Sequence, residues 1–224
     1  MATNTVLSDK GLWWMIRTWL FMAILTLLID WVFVFLVWAD GVDELKKMLA
    51  TELAYTHSFG GISSATGFAI EVANTLYSLA FEATGIHGMM LRFADPTPLN
   101  AVDSVMRDLY WQGRDWIGAA MVGIQLFGVR FAILLQAVPL FALTFLVAFS
   151  DGWWAGRFIR RVSGGRESSF LYHRAKHYIF ISLTGVWAYL LLPVSIDPRW
   201  VILPFALFFA GAVRGWAAYF KKYL

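Results

Sequence analysis

The sequence predicts an all-α membrane protein, with about four transmembrane helices and a small helical periplasmic domain between the first and the second. Three observations carry this. Hydrophobic residues make up 59% of the 224 positions and charged residues only 15%, against roughly 25% charged in a soluble domain. The charges gather at 40–130 and 151–176, with apolar runs between them that a soluble fold of this size could not hide. Trp occurs 12 times. Trp13, Trp14, Trp38, Trp153, Trp154, Trp200 and Trp216 stand at the ends of apolar runs, where an amphipathic ring favours the membrane–water interface.

The first span covers 12–39, closing a first segment, 1–39. It exceeds the roughly 20 residues a bilayer core needs, which predicts tilt or projection. It is too long for the apolar region of a signal peptide and has no small-residue cleavage site, so it is read as retained. An acidic helical domain follows over 40–130. Its residues 40–115 hold five Lys/Arg against ten Asp/Glu. Val42, Leu45, Leu49 and Leu53 recur at helical spacing, Gly60-Gly61 interrupts, and Phe68, Val72, Leu76 and Leu79 form a second stripe. Glu71, Asn74 and Glu82 make that second helix too polar to span lipid. Asp95-Pro96-Thr97-Pro98 is a turn, after which Asn100 is placed to cap a third helix with Asp103 in its first turn.

Residues 116–149 are apolar apart from Gln125, Arg130, Gln136 and small residues. As one helix they would reach about 51 Å, well beyond a core of about 30 Å. Arg130 marks the natural boundary, so the second span is 131–150, and 116–129 extends the same helix into the polar domain. Two spans here would be the rival, but no turn signal separates them. A basic loop, 151–177, comes next. The last segment, 178–224, holds a third span at 178–196 and a fourth at 200–219, joined by the turn Asp197-Pro198-Arg199. Pro193 is tolerable in a frayed outermost turn.

Lys/Arg bias sets the orientation. The 151–177 loop has six Lys/Arg against two acids. Lys10 and Arg17 mark the N-terminal end of the first span, and Arg214, Lys221 and Lys222 the C-terminal end of the last. All three groups agree if the loop and both termini are cytoplasmic, which makes this a multi-pass protein of a bacterial inner membrane with the acidic domain in the periplasm. The same bias accounts for the basic pI of about 9.2, so the charge is no argument for direct contact with nucleic acid.

The absence of Cys excludes disulfides, thiolate metal sites, iron–sulfur clusters and Cys nucleophiles. No nucleophile–base pair or cofactor fingerprint stands out, so no catalysis, cofactor or metal is expected. His173 and His177 share a helical face at metal-site spacing, but Arg174, Ala175 and Lys176 separate them where a zincin has Glu, and nearby cations oppose a metal. Gly164-Gly165-Arg166-Glu167-Ser168-Ser169 lacks the Gly-Lys-Ser/Thr ending of a phosphate loop. It reads as a hinge, with Ser168 or Ser169 capping the next helix.

Asp30 is the ionisable residue deep in a span, and such a group suggests function by default. The plainer expectation is a protonated or paired carboxyl facing Gln136 or Arg130. Gly211 and Gly215 have small-xxx-small spacing, as have Gly152 and Gly156, and this is read as close packing within one subunit ahead of a homo-oligomer contact. The basic loop fits either contact with anionic headgroups of membrane lipid or docking of a cytoplasmic partner.

The stretch SDGWWAGRFIRRVSGGRESSFLYHRAKH, residues 150–177, resembles the signature of a family of small integral membrane proteins encoded in the transfer regions of integrating conjugative elements and conjugative plasmids. The matching elements are Asp151-Gly152, the Arg-rich 157–161, Gly164 to Ser168, and Tyr172 to Lys176. The resemblance implies a non-enzymatic subunit of a conjugative DNA-transfer, type IV secretion, apparatus. It implies partnership with the coupling ATPase and other transfer-channel components, with Arg157, Arg160, Arg161, Arg166, Glu167, Tyr172, His173, Arg174 and Lys176 as the docking surface. Two rivals remain: a small transporter or ion-conducting protein built on Asp30, and an exclusion or assembly factor whose periplasmic domain meets another membrane protein.

Overall fold

A computed structural model describes residues 6–60, 63–94, 101–156, 158, 162 and 169–219. Among them the regular structure is helical throughout: α1 (Val6–Leu36), α2 (Val42–Gly60), α3 (Ser63–Tyr77), α4 (Ile86–Ala94), α5 (Ala101–Asp151), α6 (Ser169–Trp187) and α7 (Arg199–Ala218). Single π-helical turns extend α3 over Ser78–Glu82 and α5 over Gly152–Gly156, and a 3₁₀ turn, Ala188–Leu191, extends α6. Two of the helices are long and apolar enough to cross a membrane, Asp103–Trp154 and Arg199–Ala218, and α1 carries a shorter apolar stretch, Leu20–Leu36.

The chain forms two compact units. The first comprises Met1–Ala132 and Leu190–Ser195, and the second Ile133–Tyr189 and Ile196–Leu224. In the first, Val34, Leu45, Met48, Ala119 and Leu126 form a buried cluster on which Trp31, Phe35, Trp38, Val42, Leu49 and Val122 pack. The inward positions of α2 recur at three and four residues, as a one-faced helix requires. Phe35 stacks on Trp116 at 3.8 Å between ring centroids, and Trp31 meets the same ring edge-on at 5.7 Å. Gly41, at φ +52°, makes the turn between α1 and α2, a left-handed conformation that costs glycine little. At Gly128 a side chain is excluded: a Cβ there would stand 2.7 Å from Ala73 Cα, so α5 and α3 meet backbone to backbone.

In the second unit Ala148, Phe209 and Val213 are the buried cluster, with Phe141, Phe149, Ile179 and Ala210 around them. Tyr172, Ala175, Ser182, Val186 and Tyr189 mark the inward face of α6 and its extension. In the 197–199 turn, Asp197 accepts from the backbone N–H and the guanidinium of Arg199. That side-chain hydrogen bond, ahead of the backbone bond and the charge, holds the carboxyl below the usual carboxylate range. The turn's contribution is therefore present above the ordinary Asp value and lost as pH falls through the depressed one.

Three expectations are revised. The third helix of the polar domain and the second span are one uninterrupted helix of 51 residues, which tolerates Pro139 inside it. Asn100 and the 95–98 turn lie outside the described residues. Helix α4 was not anticipated. It is nine residues long, follows Gly85 at φ +76°, and has no buried residue. The third span was expected to be helical to 196, but helix ends at Leu191 and 192–198 are irregular. Pro193 falls in that stretch, where it leaves no N–H unpaired, and it biases Leu192 away from helix.

Gly128→Ala should lower stability by about 1–3 kcal/mol, because backbone rather than a pliable side chain must move. Gly67→Ala meets nothing within 4 Å and should leave thermal melting in detergent unchanged or slightly raised.

Candidate functional site

The polar residues of the first unit converge on Arg130. Its side chain and that of Glu52 are both fully buried. The Nε and Nη2 groups of Arg130 donate to Glu52 Oε1 at 3.0 and 2.9 Å. Nη2 also donates to the carbonyl of Val194 at 3.0 Å, and Nη1 to the carbonyl of Leu192. A buried guanidinium needs this many acceptors, since each unpaired N–H in a dry interior costs as much as a lost hydrogen bond. Ser195 Oγ donates to the carbonyl of Met48 at 3.3 Å, so the 190–195 segment is held to α2 as well as α5.

Arg130 was expected to mark a boundary, and Asp30 to be a protonated or paired carboxyl facing Gln136 or Arg130. Arg130 is fully buried within α5 and its ion pair is with Glu52, 78 residues away in sequence, while its charge also acts on Asp30. Glu52 was missed, yet it lies seven residues beyond Leu45 and four beyond Met48, on the inward face of α2. A charged residue on an apolar stripe was the available signal. Asp30 is also buried, at 1% exposure. Its Oδ2 has no hydrogen-bond partner. It faces Gly123, where a Cβ would lie 3.4 Å from that oxygen and 2.9 Å from Leu27 Cδ2. Thr26, one turn earlier, is buried with its hydroxyl donating to the carbonyl of Met22 at 2.9 Å. Gln136 belongs to the second unit and is half-buried.

Of the expected docking residues, Arg157, Arg160, Arg161, Arg166 and Glu167 lie outside the described residues, as does Gly164-Gly165. His173, Arg174 and Lys176 are exposed on α6, and so is His177. Arg174 is held in place: its Nε donates to Tyr178 Oη at 2.8 Å, and its guanidinium lies over the Phe170 ring at 5.4 Å. Tyr172 is corrected. It is buried, three residues before Ala175 on the inward face, and so is a packing residue rather than part of an exposed surface. Among the described residues no group of three His, Asp or Glu is arranged to hold a metal.

The first residues of the signature have a visible structural use. Asp151 pairs with Arg214 of α7. A Cβ on Gly152 would collide with the Arg214 carbonyl and approach Ala217 Cβ to 2.9 Å, and one on Gly156 would approach Ala218 Cβ to 2.8 Å. The close approach expected of small residues is thus made by Gly152 and Gly156. Gly211 was expected to pack within the subunit, but it is exposed with nothing within 4 Å of its Cβ position, and Gly215 makes only an ordinary contact with Ala175. The reason is phase: Ala212, Val213 and Ala217 form the inward face of α7.

The class to which the chain belongs, conjugative DNA-transfer proteins, is shown by its family match. Residues 37–221 match the family described as IncC plasmid conjugative DNA transfer protein DtrJ-like, and the chain belongs to that family. Its involvement is therefore in conjugative DNA transfer. No curated protein and no solved structure matches the chain.

Breaking the buried pair from one side should be worse than removing it. Glu52→Gln or Arg130→Met should each cost about 3–5 kcal/mol, whereas Glu52→Leu with Arg130→Met should recover a large part of that loss. A double-mutant cycle on thermal unfolding in detergent checks this, and additive losses would contradict it.

Proposed function

We propose that this protein is a non-enzymatic, multi-pass inner-membrane subunit of a conjugative DNA-transfer apparatus of the type IV secretion kind, and that it docks the coupling ATPase on its basic 157–176 loop. Membership of the DtrJ-like family is the observation that carries the reading. Exposed His173, Arg174 and Lys176, on the helix that follows the Arg-rich stretch, support a cytoplasmic contact surface. The membrane assignment draws on apolar side chains that face outward along whole helices: Leu20, Ile24, Leu28 and Val32 on α1, Leu143, Leu146 and Val147 on α5, and Leu203 and Leu207 on α7. A soluble monomer rarely leaves contiguous apolar surface of that extent, while lipid-facing helices require it. In this reading the spans number four, the termini and the loop are cytoplasmic, and the 40–130 domain meets channel components in the periplasm.

A second reading, transport or ion conduction through Asp30, is favoured by one observation, the buried carboxylate oxygen without a partner. Ion flux in proteoliposomes separates the two. The subunit reading expects none above background, and an Asp30-dependent flux lost in Asp30→Asn would displace it.

The docking prediction is tested by affinity purification from donor cells in mild detergent. Wild type should retain the coupling ATPase in stoichiometric amount. Charge reversal at Arg160, Arg161 and Arg174 should reduce retention by on the order of tenfold or more, with membrane insertion unchanged, as expected when a complementary charged surface is inverted. Undiminished retention would remove the loop from the model.

A further inference from the structure

Helix α4 is loosely anchored in the first unit. It has nine residues, and none of them is buried. A helix that short is marginal in water unless packing supports it. Ile86, Met90 and Phe93 recur at four and three residues and form its apolar face, yet Met90 and Phe93 are only half-buried and Ile86 is exposed. Two side-chain links tie the helix down, one near each end. At its start, Tyr77 Oη and His87 Nδ1 are hydrogen-bonded at 2.7 Å, with the rings edge-on at 5.8 Å. Near its end, the Arg92 Nη2 group donates to both carboxylate oxygens of Asp103, at 3.0 and 3.3 Å. Tyr77 belongs to α3 and Asp103 to α5, so α4 is tied across two helices that themselves meet backbone to backbone at Ala73 and Gly128. The chain enters α4 through a hinge. The π turn Ser78–Glu82 ends α3, and single turns of this kind recur at functional sites. Gly85 follows in a left-handed conformation, with open space where a Cβ would stand. Met90 of α4 lines a cleft of about 780 Å³, whose other walls include Val34 of α1, Trp38, Lys46 of α2, and Tyr110 and Met121 of α5.

We propose that α4 is a strap that swings about Gly85, releasing the Tyr77–His87 and Arg92–Asp103 links together, and so controls access to this cleft. The rest of the unit stays closed when it moves. The buried cluster of Val34, Leu45, Met48, Ala119 and Leu126 contains no residue of α4, so opening removes none of the contacts on which that cluster depends. Each link is small by itself. Arg92 is largely exposed, and an exposed ion pair contributes little. The Tyr77–His87 bond is half-buried and exchanges readily for bonds to water. An element with few buried contacts opens locally at a fraction of the cost of global unfolding. This device stands apart from the membrane and docking readings.

The test is hydrogen–deuterium exchange of the full chain in mild detergent, with hydroxyl-radical footprinting at Met121 to read the cleft. In wild type the amides of 86–94 should exchange on the order of a hundredfold faster than those of 42–60 and 116–130, as a separately opening element does. Y77F, which keeps the ring and removes the hydroxyl, should speed exchange of 86–94 by about fivefold. R92Q should speed it by about twofold, and Y77F/R92Q by more than either. Exchange over 42–60 and 116–130 should be unchanged in all three, and Met121 oxidation should rise with the opening of α4. E71Q, at an exposed position on α3, should move neither readout. Protection of 86–94 equal to that of 116–130 in wild type would overturn the proposal. So would faster exchange throughout the unit in Y77F/R92Q, which would mark general loosening, and so would Met121 oxidation that stays constant while α4 opens.

Discussion

Arg130 is the constraint around which the first unit is organised. A guanidinium with no exposure to solvent is tolerable only when acceptors surround it, and the chain supplies them from three places: the carboxylate of Glu52 on α2 and the carbonyls of Leu192 and Val194. Such a pair contributes little net stability, because desolvating both charges offsets most of their attraction. Its effect is to penalise misalignment. A shift of α2 by one residue along its axis would turn Glu52 off the inward face and leave a buried cation unmatched. The apolar cluster of Val34, Leu45, Met48, Ala119 and Leu126 supplies adhesion without direction, and the ion pair supplies the register.

Glycine plays the complementary part. At Gly128 against Ala73, in the first unit, and at Gly152 and Gly156 against α7, in the second, backbones approach to distances a Cβ would forbid. Van der Waals contact at such range is the main source of helix adhesion where no water is available to drive association. The partly exposed Asp151–Arg214 pair lies beside the contact made by Gly152. The opening of the signature, Asp151-Gly152 with Gly156, therefore has a packing function. Among its described residues, His173, Arg174 and Lys176 on α6 are exposed.

Much of this architecture was legible in the residues. Helical class, the amphipathic stripe of α2, the break near Gly60-Gly61 and the extension of a membrane-length helix into the polar domain all follow from spacing and composition. What could not be read was long-range or three-dimensional. The partner of Arg130 lies 78 residues away, and nothing local distinguishes Glu52 from Asp30 as the acid it would find. Helix α4 was overlooked because its amphipathic pattern, Ile86 to Phe93, lasts only about two turns and is framed by Gly85 and Asp95. The irregular 192–198 stretch reads as apolar helix until Pro193 is weighted as a stop. Gly211 and Gly215 had the right spacing on the wrong face, and spacing alone carries no phase.

The path of the chain through the first unit has a consequence for biogenesis. The unit is built from the first 132 residues and then from Leu190–Ser195, with the intervening segment belonging elsewhere. During synthesis Glu52 precedes Arg130, so the charge pair can form as soon as α5 emerges. The carbonyls that complete the guanidinium's coordination arrive some 60 residues later. At the ribosomal pace of about 5–20 residues per second, the nascent protein spends on the order of seconds with its central cation only half-satisfied. Closure of such a distant contact must also await synthesis of the helices between. The 190–195 segment is thus the keystone laid last, and a truncation before it would leave an assembled but unlocked intermediate.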